Sequence, residues 1–126
     1  MGKVIKALIV EDSAVTRQLI IYALRGIEGI EVVEAADGID GYRKGTSQDF
    51  NIIFVDINMP LMDGFTLIKK LRENASTSKV PIVVISIEGA KEDQERAKQL
   101  GTNAYLSKPV RAPEITSIVK DLLGEK

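Results

Sequence analysis

Short apolar runs alternate with amphipathic stretches along the whole chain. The runs cover residues 4–10, 31–35, 51–55, 81–85 and 103–106, and the stretch 52–55 is wholly apolar. Such runs are typical of strands buried on both faces of a parallel sheet. Between the runs, apolar residues recur at three- and four-residue spacing, as at Val15, Leu19, Tyr22 and Ala23, which predicts helices.

Residues that favour helix ends mark the limits of the amphipathic stretches. Helices are predicted after the N-cap residues Ser13 and Asp63, from Asp37 and Gly38 onward, over residues 90–100, and from Pro113 onward. The second helix is the weakest, because Gly41 and Gly45 each cost about 1 kcal/mol relative to alanine inside a helix. We therefore expect the second helix to be short or frayed.

Five β/α units in a row predict an α/β fold with right-handed crossovers. The expected architecture is a three-layer, flavodoxin-like fold with five helices and a five-stranded parallel sheet in the order 2-1-3-4-5. The 126 residues suit a single domain, 1–126, with no output domain after the fifth helix.

Composition removes several classes of function. The 17 basic and 18 acidic residues give a net charge of −1, so nothing favours nucleic acid or an anionic membrane as a partner. The chain has no cysteine and no histidine, so any metal would be held by oxygen, which favours Mg²⁺, Ca²⁺ or Mn²⁺. No apolar stretch approaches the roughly 20 residues of a membrane span and no signal peptide is evident, so the expected location is the cytoplasm.

Polar side chains stand at four of the predicted strand ends. Glu11 and Asp12 follow the first strand, Asp56 the third, Ser86 the fourth and Lys108 the fifth. In open α/β sheets, ligands bind at the edge where the carboxyl ends of the strands meet. Each residue alone has a simpler interpretation, such as a charged first helical turn at Glu11 and Asp12. Their coincidence at one edge favours a site.

Three carboxylates at one edge repel each other, and a divalent cation is the simplest remedy. Mg²⁺ fits, because it accepts a few carboxylates, keeps several waters and leaves positions for phosphate oxygens. A carboxylate beside such a metal and a lysine can attack a phosphoryl group in line while the cations neutralise its oxygens. Lys108 precedes Pro109, and a cis bond there could turn the lysine back toward the carboxylates.

The matching pattern consists of Glu11 and Asp12, the segment 55–64 (VDINMPLMDG), Ser86, and Lys108 followed by Pro109. With it, essentially the whole chain resembles the response-regulator receiver domains of two-component signalling, in their single-domain, CheY-like form. The resemblance implies that Asp56 accepts a phosphoryl group from a phosphohistidine on a histidine kinase or phosphotransfer domain. It implies a signalling protein, for example in chemotaxis, which is not an enzyme beyond catalysing its own phosphorylation and dephosphorylation.

The resemblance also assigns roles to the other residues of the site. Mg²⁺ would bind the side chains of Asp12 and Asp56, Glu11 mostly through water, and the backbone carbonyl of Asn58. The phosphoryl group would contact Lys108 and Ser86.

Activation in this family moves the hydroxyl at the position of Ser86 while the aromatic at that of Tyr105 turns inward. The movement would remodel the face formed by the fourth helix, fifth strand and fifth helix for a downstream protein target. Tyr105 could equally be an aromatic at the edge of the core. A monomer is expected, and a dimer on activation stays open.

One residue departs from the family pattern. Ile87 follows Ser86, where family members normally carry a small residue. We hypothesise that Ile87 hinders the water that would hydrolyse an aspartyl phosphate. Asn58 and Glu88 flank the same entrance to the phosphorylation site and could also modulate the rate of hydrolysis.

Three rival functions have specific requirements. A phosphatase of the haloacid dehalogenase class needs a second aspartate two residues after the nucleophile, where this chain has Asn58. A flavodoxin-like cofactor binder needs a phosphate loop after the first strand, where Glu11 and Asp12 would repel phosphate. A receiver fold could also act only as a protein-interaction module, without phosphorylation.

Overall fold

The computed structural model describes residues 4–87 and 91–124. Its elements are β1 (Ile5–Val10), α1 (Ala14–Arg25), β2 (Ile30–Ala35), α2 (Gly38–Ser47), β3 (Ile52–Asp56), α3 (Gly64–Glu73), β4 (Ile82–Ser86), α4 (Lys91–Gln99), β5 (Ala104–Ser107) and α5 (Ala112–Leu123). The strands form one parallel sheet in the order β2-β1-β3-β4-β5. The predicted fold is confirmed; residue 90, the predicted start of the fourth helix, lies outside the described residues.

The sheet is the middle of three layers. Successive strand residues point to opposite faces, so Leu8 and Ile9 enter two different cores, and both are fully buried. One core lies under α1 and α5, and the other under α2, α3 and α4. The central strands β3 and β4 are buried along their whole length, as their unbroken apolar runs predict.

Three helices begin as their sequences predict. The side chains of Ser13, Asp37 and Asp63 each accept the backbone N–H of the residue three positions later. These N-caps satisfy N–H groups that have no partner inside the helix. Because the helices follow parallel strands, all three N-termini lie at the carboxyl edge of the sheet.

The expectation that α2 is short or frayed is wrong, since the helix spans ten residues. A Cβ atom at Gly41 would lie 2.8 Å from both Cγ atoms of Val10, and one at Gly45 would lie 3.3 Å from Leu71 Cδ2. The glycines let α2 approach β1 more closely than any larger residue would allow. Tertiary packing thus outweighs the low helix propensity of glycine.

Helix α1 is amphipathic in an unexpected way. Its core side carries Ile20, Ile21 and Leu24, whereas Val15 and Tyr22 are largely exposed. The apolar spacing therefore predicts the helix correctly but does not identify its buried face. Within residues 4–87 and 91–124, the helices are too short or too polar to cross a bilayer.

Candidate functional site

Asp56 lies at the centre of the carboxyl edge of the sheet. It is the last residue of β3, between β1 and β4, and its side chain is fully buried. Oδ1 accepts the backbone N–H of Asn58 at 2.8 Å, and Oδ2 lies 3.2 Å from Nζ of Lys108. Two fixed donors therefore hold the two oxygens of one buried carboxylate.

Glu11 and Asp12 occupy the turn between β1 and α1. The N–H of Glu11 donates to the carbonyl of Ala35, and its Oε2 accepts the N–H of Ser13 at 3.0 Å. Glu11 is buried and Asp12 is exposed. One carboxylate oxygen from each of Glu11, Asp12 and Asp56 lies within 4.8 Å of the other two. The three predicted ligands thus converge.

Lys108 is the cation of this cluster. Its Nζ lies 3.1 Å from Oε1 of Glu11 and 3.2 Å from Oδ2 of Asp56, and the peptide bond to Pro109 is cis. Burial alone would lower the pKa of the Lys108 ammonium. The charge of Asp56 and the hydrogen bond and charge of Glu11 outweigh burial and raise that pKa above its ordinary range.

The buried carboxylates suit a hard divalent cation. Burial, followed by hydrogen bonding to Asp56, raises the pKa of Glu11 to about 7, although the Ser13 N–H and Lys108 act against the shift. Oε1 of Glu11 is buried and accepts no hydrogen bond from the described residues, and its one close partner is the Lys108 ammonium at 3.1 Å. A cluster of three carboxylate oxygens within 4.8 Å of one another could hold such an ion, and carboxylate oxygens are ligands that Mg²⁺ accepts.

The raised pKa predicts an unusual pH dependence of stability without metal. A carboxyl whose pKa is higher in the folded state favours folding when protonated, so the benefit is present at low pH and is lost as pH rises through 7. In EDTA, Glu11→Gln should therefore match the wild type near pH 4 but have a higher free energy of unfolding than the wild type near pH 8.

Urea unfolding across this pH range, with circular dichroism as the readout, measures the difference. The matched control is Glu31→Gln, because Glu31 is more than half exposed in its pair with Lys6. Added Mg²⁺ should stabilise the wild type more than Glu11→Gln. A difference between Glu11→Gln and wild type that does not change with pH would contradict the prediction.

Ser86 and Ile87 form the other wall of the site. Ser86 is buried at the end of β4, and its carbonyl accepts the N–H of Lys108 at 2.7 Å. Ile87 is exposed, and its N–H donates to Oδ1 of Asn58 at 3.0 Å. This bond joins the loops that follow β3 and β4. Glu88, the third residue expected at this entrance, lies outside the described residues.

Tyr105 lies away from the cluster, in the interior of β5, where it is paired with Val84. Its hydroxyl is buried without a hydrogen-bond partner among the described residues. A pocket of about 240 Å³ lies beside it, between α4 and β5, with Gln94 and Lys98 in its lining. The aromatic predicted to take part in switching therefore has room on one side and an unsatisfied polar atom.

Sequence reasoning missed one contributor to the site. Arg17 donates from Nη1 to the carbonyl of Glu11 and from Nε to Oε1 of Glu34, each at 2.8 Å. It thereby ties the acidic turn to β2. An arginine on a helix has no sequence signal of this role, since one partner lies in the turn after β1 and the other in β2.

The chain matches known proteins over most of its length. Residues 7–120 match the family model of the response regulator receiver domain. A probable chemotaxis protein CheY of Rhizobium etli is 32% identical over 95% of this chain and 93% of its own length. Chemotaxis protein CheY1 of Helicobacter pylori is 31% identical over 94% of this chain and 97% of its own length.

Two solved structures share the fold closely. Chemotaxis protein CheY4 of Vibrio cholerae has a TM-score of 0.88 at 30% identity, covering 94% of this chain and 98% of that chain. The receiver domain of sensor histidine kinase PA1611 from Pseudomonas aeruginosa has a TM-score of 0.87 at 30% identity, covering 96% of this chain and 98% of that chain. The latter structure contains a magnesium ion coordinated in the active-site cleft.

Proposed function

This chain belongs to the response regulator receiver family, and we propose that Asp56 accepts a phosphoryl group from a phosphohistidine in a Mg²⁺-dependent reaction. The donor is a histidine kinase or a phosphotransfer domain, as in the receiver family, and this chain has no histidine that could supply the donor imidazole. The observation that carries the proposal is the buried Asp56 carboxylate, held at 3.2 Å from the Lys108 ammonium beside two further acidic groups.

The fixed surroundings of Asp56 suit it to act as a nucleophile. A carboxylate oxygen attacks phosphorus in line, the new O–P bond forms, and the P–N bond to the donor imidazole breaks with its electrons on nitrogen. Lys108 offers an ammonium to the negative charge of the phosphoryl oxygens, and the buried hydroxyl of Ser86 stands at the neighbouring strand end. Burial excludes bulk water from the nucleophile before the donor arrives.

Four residues would hold the metal: Asp12 and Asp56 through carboxylate oxygens, Glu11 mostly through water, and Asn58 through its backbone carbonyl. Bound there, Mg²⁺ would neutralise part of the charge on the phosphoryl oxygens. The support is the clustering of the three carboxylates and the magnesium ion in the cleft of the Pseudomonas aeruginosa receiver domain.

The test is phosphorylation by a small donor. Incubation with acetyl phosphate and Mg²⁺ should add the mass of one phosphoryl group to the intact protein. Asp56→Asn should abolish the gain, whereas Asp63→Asn, which alters only the exposed N-cap of α3, should retain it. No gain in the wild type, or an equal gain in Asp56→Asn, would favour the alternative of a phosphorylation-independent interaction module.

Ile87 is expected to lengthen the lifetime of the phosphoryl group. Its side chain is 58% exposed next to Ser86, where it can shield the phosphorus from attacking water. Ile87→Ala should therefore shorten the aspartyl-phosphate half-life by about threefold or more. The matched control is Ile39→Ala, because Ile39 is equally exposed at the start of α2. An unchanged or longer half-life in Ile87→Ala would refute this role.

The proposed output is a protein contact at the face formed by α4, β5 and α5. Movement of Ser86 toward the phosphoryl group would let Tyr105 reorient, and the unsatisfied Tyr105 hydroxyl supports such a change because a new partner would be favourable. Helix α4 can repack at low cost, since Ala97 is its one buried residue among those described.

A further inference from the structure

Leu61 has an unusual backbone conformation for its residue type. Its φ is +66°, and it is the one non-glycine residue with positive φ in the described part of the chain. The left-handed region brings the Cβ of an L-residue close to its own carbonyl, and asparagine or glycine tolerates that conformation better than leucine. The side chain gains nothing from burial in return, since Leu61 is 82% exposed.

The loop that carries Leu61 is fixed on both sides. A Cβ at Gly64 would lie 2.5 Å from the carbonyl oxygen of Asp56, and one at Gly38 would lie 2.7 Å from the carbonyl oxygen of Met62. The loop therefore leaves Asp56, returns against it at Gly64, and packs on the start of α2 between those points. Leu61 projects from a firmly held loop, so its exposure is not the result of a loose segment.

Three other exposed apolar side chains stand at the same edge of the sheet. Val15 and Ile39 are the second residues of α1 and α2, and Ile87 directly follows β4. Together with Leu61 they form what we call the apolar rim. Isolated exposed apolar residues are ordinary, but four at the edge of the sheet that also holds the buried polar site favour a contact surface there.

We infer that Leu61 is a specificity-determining anchor by which the protein that carries the phosphohistidine docks on the apolar rim. The inference rests on the proposed function. The Asp56 carboxylate is fully buried at this edge, so a donor phosphorus can reach it only if the donor protein lies over the rim. The donor protein then needs an apolar surface beside its phosphohistidine to pack against the four rim side chains. A small phosphodonor can reach Asp56 without contacting the rim.

If Leu61 is such an anchor, replacing it should raise stability and lower the rate of phosphoryl transfer. Leu61→Asn relieves backbone strain, so its melting temperature should rise by about 3 °C. The same change removes the apolar contact, so the rate of transfer from a phosphohistidine protein should fall by about tenfold. A residue with a merely structural role would not show a gain in stability together with a loss of transfer.

The experiment compares two donors on the intact chain. One is acetyl phosphate, and the other is an isolated histidine phosphotransfer domain, radiolabelled on its phosphohistidine and chosen as the fastest donor to the wild type. Leu61→Asn should react with acetyl phosphate at the wild-type rate but slowly with the protein donor. Leu61→Met should retain fast transfer, as should Val4→Thr, which alters an exposed apolar residue at the opposite edge.

Equal rates for Leu61→Asn and wild type with the protein donor would overturn the inference, as would a Leu61→Met variant as slow as Leu61→Asn. A rise in melting temperature alone would show that Leu61 is strained without being an anchor, and would also overturn it. Failure of acetyl phosphate to label the wild type at Asp56 would overturn the proposed function itself. This outcome is distinct from the others, because it is measured on the wild type and not on a variant of Leu61.

Discussion

Gly64→Ala is expected to be the most destabilising single-methyl substitution at the site, with a loss of about 3 kcal/mol or more in the free energy of unfolding. The added Cβ would lie 2.5 Å from both the carbonyl oxygen of Asp56 and the Cα of Ile57. Both are backbone atoms, so no side-chain rotation can relieve the overlap. The backbone at Asp56 has to move, and the rate of phosphorylation by acetyl phosphate should fall as well.

Urea unfolding of Gly64→Ala and Gly26→Ala provides a matched comparison. A Cβ at Gly26 would have one neighbour, the carbonyl oxygen of Ala23 at an ordinary 3.4 Å, and φ there is −73°. Gly26→Ala should therefore be neutral or slightly stabilising, because it reduces the conformational entropy of the unfolded chain. Similar free energies of unfolding for the two variants would show that the loop after β3 yields easily, contrary to the tight approach described above.

Lys108→Met should lower the rate of phosphorylation by about 10²- to 10³-fold, the usual effect of removing one preorganised donor to a developing negative charge. Lys108 contacts both buried carboxylates, and methionine preserves most of its length without its charge. In EDTA the variant should also be less stable, because Glu11 and Asp56 would share a buried site without a cation.

The rate is best measured with acetyl phosphate at saturating Mg²⁺, after circular dichroism has shown that the variant is folded. Lys98→Met is a suitable control, because Lys98 lies on α4 beside the pocket next to Tyr105 and away from the three carboxylates. A rate for Lys108→Met within tenfold of the wild type would show that the ammonium is not needed for phosphoryl transfer.

Much of the fold could be predicted because its signals are local. Unbroken apolar runs such as 52–55 identify strands buried on both faces, and the capping residues Ser13 and Asp63 stand where the helices begin. The approach of Lys108 to Asp56 was also predictable, since parallel strands bring their carboxyl ends to one edge.

Other features depend on contacts between distant segments and leave no local signal. Helix propensity describes an isolated helix, so Gly41 predicts a weak helix. In the folded protein a glycine is required at position 41 because α2 packs closely on Val10. The hydrogen bond from the Ile87 N–H to the Asn58 side chain joins two loops. Amide side chains and backbone N–H groups occur in most loops, so the sequence does not indicate that these two meet. Likewise, the strained conformation of Leu61 is visible only in its φ angle.

The hydrogen bond from Ile87 to Asn58 also has a mechanical consequence. It links the chain immediately after Asp56 to the chain immediately after Ser86, across two neighbouring strands. A displacement of the loop after β3 must either lengthen this hydrogen bond or move the backbone at Ile87 as well. The loop after β3 and the end of β4 are therefore coupled by a direct contact at the surface, in addition to the sheet beneath them.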